Sequence, residues 1–250
     1  MPEPSTLAAI IATFLLAGIV KGVIGLGLPT VSLALLSATL GLPQAMALLL
    51  VPSFATNAWQ ALSGGNAKTI LARIWPFLAL ATVTVWIGAL ALTRVDLDLL
   101  TGLLGVLLVT YALINLFGIR VAVPAAHEAW VGPVVGATNG ILTGMTGSFV
   151  VPGVMFLQAI GLPRDRLVQA MGMLFTFSTL ALGIALGGSG LLSAELGTMS
   201  AAALLPALAG MAIGQRVRRR LSEQAFKRAF FVALLVLGLY IFANAAGAIT

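Results

Sequence analysis

Apolar stretches of about the length needed to cross a membrane recur along almost the whole chain, and this pattern most constrains its fold. A helix needs roughly 20 apolar residues to span the hydrocarbon core of a bilayer. The sequence predicts full spans at residues 44–62, 72–92, 98–117, 165–186, 198–215 and 226–246. Since lipid leaves backbone groups no water partner, each span must satisfy its own hydrogen bonds. We therefore predict an all-α membrane protein, a single integral domain over residues 1–250.

Composition excludes several other classes of protein. The chain is 60% hydrophobic and 8% charged, whereas soluble domains are about a quarter charged. Its net charge of +6 comes from basic residues in short loops beside apolar spans, which the positive-inside rule explains without a nucleic-acid partner. With no cysteine and a single histidine, His127, we expect no disulfide, metal site or cofactor.

Two longer apolar segments, 6–41 and 130–161, are each interrupted by a glycine-rich stretch. The interruptions are Gly22 to Pro29 and Gly140 to Pro152. The halves are predicted at roughly 14 to 16 residues, about 22 Å as helix against a core of about 30 Å. Half-helices folded as re-entrant hairpins fit this length, and two short complete crossings remain the alternative.

The same features occur twice in the same order. The matched positions are Gly22 with Gly144, Gly25 with Gly147, Pro29 with Pro152, and Gly41-Leu42-Pro43 with Gly161-Leu162-Pro163, at offsets of 122, 122, 123 and 120. Their shared order predicts two internal repeats, at about 6–117 and 130–246. Each repeat would contain one broken helical hairpin and three transmembrane helices.

The basic residues indicate how the repeats are inserted. If each hairpin returns to the side it entered from, and the loop after residue 215 is cytoplasmic, eleven basic residues lie inside and only Arg94 lies outside. The inside set is Lys68, Arg73, Arg120, Arg164, Arg166, Arg216, Arg218, Arg219, Arg220, Lys227 and Arg228. If each broken segment instead crossed the membrane once, nine basic residues would lie inside and three outside. The first arrangement predicts inverted repeats, with both termini on the periplasmic side.

The two helix breaks are the predicted binding site, because broken helices at membrane depth are tolerated where they line a cavity. Free amides at the helix start near Pro29 can receive anions, and the second break adds three hydroxyls. Two facing breaks would form one anion cradle. The predicted substrate-binding residues are Lys21, Gly22, Gly25, Gly27, Asn57, Asn139, Thr143, Gly144, Thr146, Gly147 and Ser148. For the glycines, close packing of helices is the alternative explanation.

Lys21 gives the sharpest hypothesis, since an intramembrane cation usually marks a transport pathway. It can bind an anion. Alternatively, its ammonium can reach an interface by snorkelling, or the residue can lie in a short loop of a fully crossing hairpin. Asn57 and Gln60 share one helical face, facing either a substrate path or a neighbouring helix. The seven carboxylates all fall in loops or at helix ends, which disfavours buried proton carriers and divalent-cation sites. The expected partners are a small anion and the lipid bilayer, with a homodimer left open.

These residues together resemble the sulfite exporter TauE/SafE family over essentially the whole chain. The pattern Gly-x-x-Gly-x-Gly-x-Pro falls on Gly22, Gly25, Gly27 and Pro29, with a second break halfway along and Gly-Leu-Pro after each. The second break departs from it, with Ser148-Phe149-Val150 where a third glycine is expected. The resemblance implies a bacterial inner-membrane transporter exporting sulfite, an organosulfonate or a related sulfur-containing anion.

Other functions stay open at this stage. An anion channel of the same fold and a structural membrane subunit without transport activity are the alternatives. A membrane-embedded enzyme is disfavoured, because it needs a nucleophile, acid and base together or a metal. The chain offers one histidine, no cysteine and no intramembrane carboxylate.

Overall fold

A computed structural model describes residues 3–218 and 222–249, which form helices and connecting loops without a strand. The elements are α1 (Pro4–Ile24), α2 (Leu28–Leu40), α3 (Leu42–Leu62), α4 (Ala67–Val83), α5 (Val85–Ala89), a 3-10 turn (Leu90–Thr93), α6 (Leu97–Leu116), α7 (Ala125–Thr146), α8 (Gly153–Ala159), α9 (Arg164–Gly188), α10 (Ala194–Arg218) and α11 (Glu223–Ile249). The prediction of an all-α membrane protein is confirmed. Arg219, Arg220 and Thr250, used above for charge and terminus, lie outside the described residues.

Seven helical stretches in the described part of the chain are long and apolar enough to cross a membrane. Six coincide with the predicted spans; α4, α5 and the 3-10 turn together form one of them. The seventh is α1. The expected halves of 14 to 16 residues are therefore wrong: α1 has 21 residues and α7 has 22, whereas α2 has 13 and α8 only 7. The longer helices start earlier than the apolar pattern indicated, at Pro4 and Ala125.

The chain breaks within both predicted glycine-rich stretches, but later than their first glycines, because α1 continues through Gly22 and α7 through Gly140 and Gly144. Helix α1 ends at Gly25 and α7 ends at Gly147, with φ angles of 85° and 72°. This left-handed conformation favours glycine, and it turns each amide back onto the last helical turn. The N–H of Gly25 donates to the Lys21 carbonyl, and the N–H of Gly147 donates to the Thr143 carbonyl.

Glycines four residues apart let α1 pack closely on α10. A Cβ at Gly18 would lie 3.0 Å from the Met211 nitrogen, and one at Gly22 would lie 2.9 Å from the Gly214 Cα. The contact residues rise together along both helices, so α1 and α10 run parallel. Such small-residue contacts are typical of membrane helices.

Helix α7 packs on α4 and α5 in the same manner. A Cβ at Gly140 would lie 2.6 Å from the Ala81 carbonyl oxygen, and one at Gly144 would lie 2.5 Å from the Ala89 nitrogen. The first helix of each half of the chain thus packs against the fourth helix of the other half.

Helices α3 and α9 cross near the middle of the bundle in antiparallel orientation. The Gln60 side chain donates to the Val168 carbonyl at 2.7 Å, and the Gln169 side chain donates to the Ala61 carbonyl at 2.8 Å. At the other end of the crossing, Leu50 lies opposite Gly183. Gln60 therefore makes an interhelical hydrogen bond, the second of the two roles considered for it.

Candidate functional site

Lys21 lies in the last turn of α1 and points into the protein, with 4% of the residue exposed. Its Nζ donates to the Thr56 Oγ1 at 3.1 Å and to the Asn57 Oδ1. Both partners lie on α3 and are buried. The side chain thus bridges two helices inside the bundle, and the snorkelling alternative does not apply to this conformation.

No carboxylate accompanies this ammonium group. Among the described residues, Lys21 forms no ion pair, and the acidic side chains all lie in loops or at the starts of helices. For example, Asp96 caps the start of α6, while Glu223 at the start of α11 pairs with Arg164. Lys21 is therefore held by neutral oxygens alone, and its positive charge has no counter-ion in the described part of the protein.

The orientation of Asn57 follows from its partner. An ammonium group has only donors, so the amide oxygen of Asn57 must face Lys21. The Nδ2 is then left without a hydrogen-bond partner among the described residues, although only 1% of the residue is exposed. Next to the buried cation, the structure thus presents a buried, unused N–H donor.

The tip of the first break is more open than its base. A Cβ at Gly25 would meet no atom within 4 Å, and Gly25 and Leu26 are half-buried. Gly27 is buried, and a Cβ there would lie 2.9 Å from Val20. Gly22 is enclosed by α10, so of the three predicted glycines only Gly25 borders free space.

The second break is closed by its own hydrogen bonds. The Thr143 hydroxyl donates to the Ser148 carbonyl at 2.9 Å, and the Thr146 hydroxyl donates to the Leu142 carbonyl at 2.7 Å. Thr146 also accepts from the Ser148 N–H at 3.2 Å. The Ser148 hydroxyl has no partner among the described residues and is buried.

The two glycines of the second break are filled by packing. Gly144 is enclosed by α5, and a Cβ at Gly147 would lie 2.8 Å from Met46 on α3. For these two residues and for Gly22, the structure shows the close helix packing that was the alternative to substrate contact. Their predicted binding role stays a prediction.

Asn139 joins α7 to the start of α8. Its Oδ1 accepts from the Gly153 N–H at 2.8 Å, and the residue is fully buried. Since a backbone N–H can only donate, the amide orientation is fixed here too. The Nδ2 of Asn139 has no partner in the described structure, as at Asn57.

The structure does not bring the two breaks into the single cradle expected from the sequence. Gly147 lies against Met46 near the start of α3, whereas Lys21 bonds to Asn57 near its end. Met46 and Asn57 are eleven positions apart, which corresponds to about 16 Å along a helix. The predicted site residues thus form two groups at different levels of the bundle.

Sequence analysis left Thr56 out of the site. It accepts from Lys21 while its own hydroxyl donates to the Pro52 carbonyl at 2.8 Å. In the sequence, Thr56 was marked only by a hydroxyl next to Asn57 in an apolar span. Its contact with Lys21 joins residues 35 positions apart, and helix packing determines such a contact.

The apolar spans, the helix breaks and a buried charge without a counter-ion in the described structure define a multi-pass membrane protein of the transporter class. Residues 10–241 match the family described as sulfite exporter TauE/SafE. The chain belongs to this family, whose members are membrane transporters of the sulfite- and sulfonate-exporter type. No curated protein and no solved structure matches the chain.

Proposed function

We propose that this protein carries a small sulfur oxyanion, such as sulfite or an organosulfonate, out of the cytoplasm across a bacterial inner membrane. The anion binds beside Lys21 and Asn57. The observation that carries the proposal is the ammonium of Lys21, buried in the bundle with only neutral partners.

The physical argument rests on the cost of burying charge. Taking an ion out of water costs several kcal/mol of solvation free energy, and the attraction of an opposite charge can offset this cost. A bound anion would supply that charge. An oxyanion only accepts hydrogen bonds, so it also matches the unused N–H of Asn57. A cation or a neutral apolar solute would satisfy neither group.

The architecture supports an alternating-access carrier. Helix α10 follows α9 through a short loop and so runs parallel to α3, whereas α4 runs antiparallel to α3. Gly22 lies beside the end of α10, and Gly144 lies beside α5, near the end of the α4 span. The two breaks therefore lie toward opposite ends of the helical bundle, which supports the proposal of inverted repeats.

The two breaks also differ in exposure. Gly25 and Leu26 of the first break are half-buried, whereas residues 146–151 of the second break are buried. This asymmetry fits a carrier conformation that is open at the first break and closed at the second. With the basic loops inside, the first break faces the cytoplasm.

Flux into proteoliposomes tests the proposal. The purified chain is assayed with sulfite, sulfate, thiosulfate, sulfoacetate and small carboxylates. We expect uptake of at least one sulfur oxyanion, reduced at least tenfold by Lys21→Met, because a hydrogen bond to a charged group contributes roughly 1.5–3 kcal/mol. Lys68→Met is the control, since Lys68 is exposed at the start of α4. Normal flux in folded Lys21→Met protein would overturn the assignment.

Flux measurements together with planar-bilayer recordings distinguish a carrier from the anion channel that the sequence left as an alternative. A carrier gives saturable flux that depends on a proton or sodium gradient, whereas a channel gives single-channel currents in planar bilayers. A purified chain that moves none of these anions would favour the structural-subunit alternative.

A further inference from the structure

We propose that the second break holds a separate, uncharged anion subsite, formed by the amide of Asn139 and the hydroxyls of Ser148 and Ser178. The inference rests on the proposed function and extends it. The anion would pass between a charged binding site at Lys21 and this neutral subsite, which lies toward the opposite side of the membrane.

Three unused polar groups indicate the subsite. The Nδ2 of Asn139 and the hydroxyls of Ser148 and Ser178 have no hydrogen-bond partner among the described residues. Their residues are 0%, 3% and 0% exposed. Burying a polar group without a partner costs roughly 1–3 kcal/mol. Three such groups in an apolar bundle suggest that they are satisfied when a solute is bound.

The first two groups come together through the fold of the second break. Asn139 and Thr143 are four residues apart on one face of α7. Asn139 contacts Gly153 and Thr143 contacts Ser148, so this face covers the returning segment. The free donor of Asn139 therefore lies on the face of α7 that contacts residues 148–153, and the free donor of Ser148 lies in that segment.

Helix α9 brings the third group to the same segment. A Cβ at Gly153 would lie 2.9 Å from the Leu174 side chain, and the rings of Phe149 and Phe175 are 5.8 Å apart. Ser178 lies four residues after Leu174 and three after Phe175, which places it on the same face of α9. All three donors thus lie on elements that pack against or form the second break.

The chemistry of the cluster favours an oxyanion. The oxygen of Asn139 is already used by Gly153, so the group left free is a donor. The hydroxyls can also donate, and none of the three residues is a carboxylate that could hold a cation. Because the cluster has no positive charge, it would hold an anion more weakly than Lys21 does, as release requires.

A polar residue of α3, Ser53, lies between the site at Lys21 and the subsite at the second break. Ser53 is on α3, four residues from Asn57 and seven from Met46, and so shares their helix face. Its hydroxyl is buried and has no partner in the described part of the chain. Ser53 thus places a polar group on the roughly 16 Å of α3 between Met46 and Asn57.

Sided transport kinetics test the subsite. Uptake of radiolabelled sulfite is measured in right-side-out and inside-out vesicles, with the double variant Ser148→Ala plus Ser178→Ala and, separately, with Asn139→Asp. In the second variant the carboxylate keeps an oxygen for the Gly153 N–H, whereas the free N–H donors are replaced by a negative charge that repels an anion.

We expect the half-saturating sulfite concentration to rise about tenfold when sulfite is supplied from the face of the second break. From the opposite face it should change less than twofold. Thr179→Val is the matched control: Thr179 is also buried without a partner among the described residues but lines a lipid-side groove with Phe54 and Ile184. It should leave both values unchanged.

The outcomes separate the two proposals. If Lys21→Met abolishes sulfite flux while the serine and asparagine variants behave like wild type from both faces, the subsite is wrong and the transport site stands. Equal changes from both faces would also overturn it, since they indicate a structural defect. If wild-type protein moves no sulfite, sulfate, thiosulfate or sulfoacetate, the proposed function fails and the subsite with it.

Discussion

At the scale of single residues, the charge of Lys21 is held in place by oxygen atoms of α3. Thr56 and Asn57 each offer one oxygen to the ammonium, and neither carries a negative charge. A buried ion pair would need a carboxylate here. Its absence from the described surroundings of Lys21 leaves the positive charge available to a solute.

Asn57→Asp should therefore block transport without unfolding the protein. The aspartate keeps an oxygen for Lys21 and adds a permanent counter-ion, which competes with the transported anion. We expect anion flux to fall at least tenfold, while the amount of folded protein in detergent is unchanged. Asn66→Asp places the same charge in the loop before α4 and should transport normally. Normal flux in Asn57→Asp would contradict the role assigned to Lys21.

At a second residue, Ser200, a hydroxyl satisfies backbone groups that a proline in α3 leaves without their helical partners. Pro52 has no N–H, so the Leu48 carbonyl loses its usual helical partner. The Ser200 hydroxyl of α10 donates to that carbonyl at 2.8 Å and accepts from the Val51 N–H at 3.0 Å. One hydroxyl thus satisfies two backbone groups of this turn.

Ser200→Ala should lower the stability of the folded protein by about 0.5–2 kcal/mol, the range found for a hydrogen bond between membrane helices. Thermal unfolding in detergent measures the change. Ser189→Ala is the control, since its hydroxyl bonds only to Ala185 within the same exposed helix end. Equal melting temperatures for wild type and Ser200→Ala would show that the contact contributes nothing.

At the scale of the helices, the glycines serve two different purposes. Gly25 and Gly147 end their helices in a left-handed conformation, whereas Gly22 and Gly144 allow backbones to touch. The sequence spacing was the same for both pairs. Only the packing of α1 on α10 and of α7 on α5 separates a break glycine from a contact glycine.

Gly144→Ala should destabilise the bundle by about 1–3 kcal/mol, the usual cost of overpacking a closely packed contact. Its Cβ would lie 2.5 Å from the Ala89 nitrogen and would overlap the Val85 carbonyl. Gly187→Ala in α9 meets nothing within 4 Å and should be neutral or slightly stabilising. Size-exclusion profiles after heating compare the two variants; equal losses would contradict the packing assignment.

At the scale of the whole molecule, the arrangement of helices agrees with the charge pattern. The first break and the end of α3 lie toward the side that carries the basic loops, and the second break lies toward the other. The inverted repeat and the periplasmic termini remain predictions, supported by the reciprocal packing of α1 on α10 and of α7 on α4 and α5.

Cysteine labelling tests this topology directly, because the natural chain has no cysteine. Ala194→Cys, at the start of α10, should react in intact cells with a membrane-impermeant maleimide. Ala122→Cys, in the loop before α7, should react only after the membrane is opened. Both positions are exposed. The opposite labelling pattern would reverse the assigned orientation, and equal labelling of both would rule out the hairpin arrangement.

How much the sequence could predict depended on whether the signal was local. The six full spans follow from apolar length, and the breaks follow from glycine at Gly25 and Gly147, since both are properties of neighbouring residues. The predicted lengths of α1 and α7 were wrong, because small and polar residues at the starts of these helices weaken the apolar signal. The partners of Lys21 and Asn139 depend on other segments of the chain, so no spacing could reveal them.

The sequence by itself determined that this chain is an all-helical membrane protein, that it breaks in two places and that it belongs among transporters of this family. Those features depend on hydrophobicity, on backbone conformation at glycine and on residue order. The tertiary structure alone decided that Lys21 is buried against α3 and that Asn57 and Asn139 keep donors with no partner among the described residues. It also decided that Lys21 and the second break contact α3 at points about 16 Å apart along that helix. These depend on how helices distant in the chain pack together, which fixes the position of every donor in the interior.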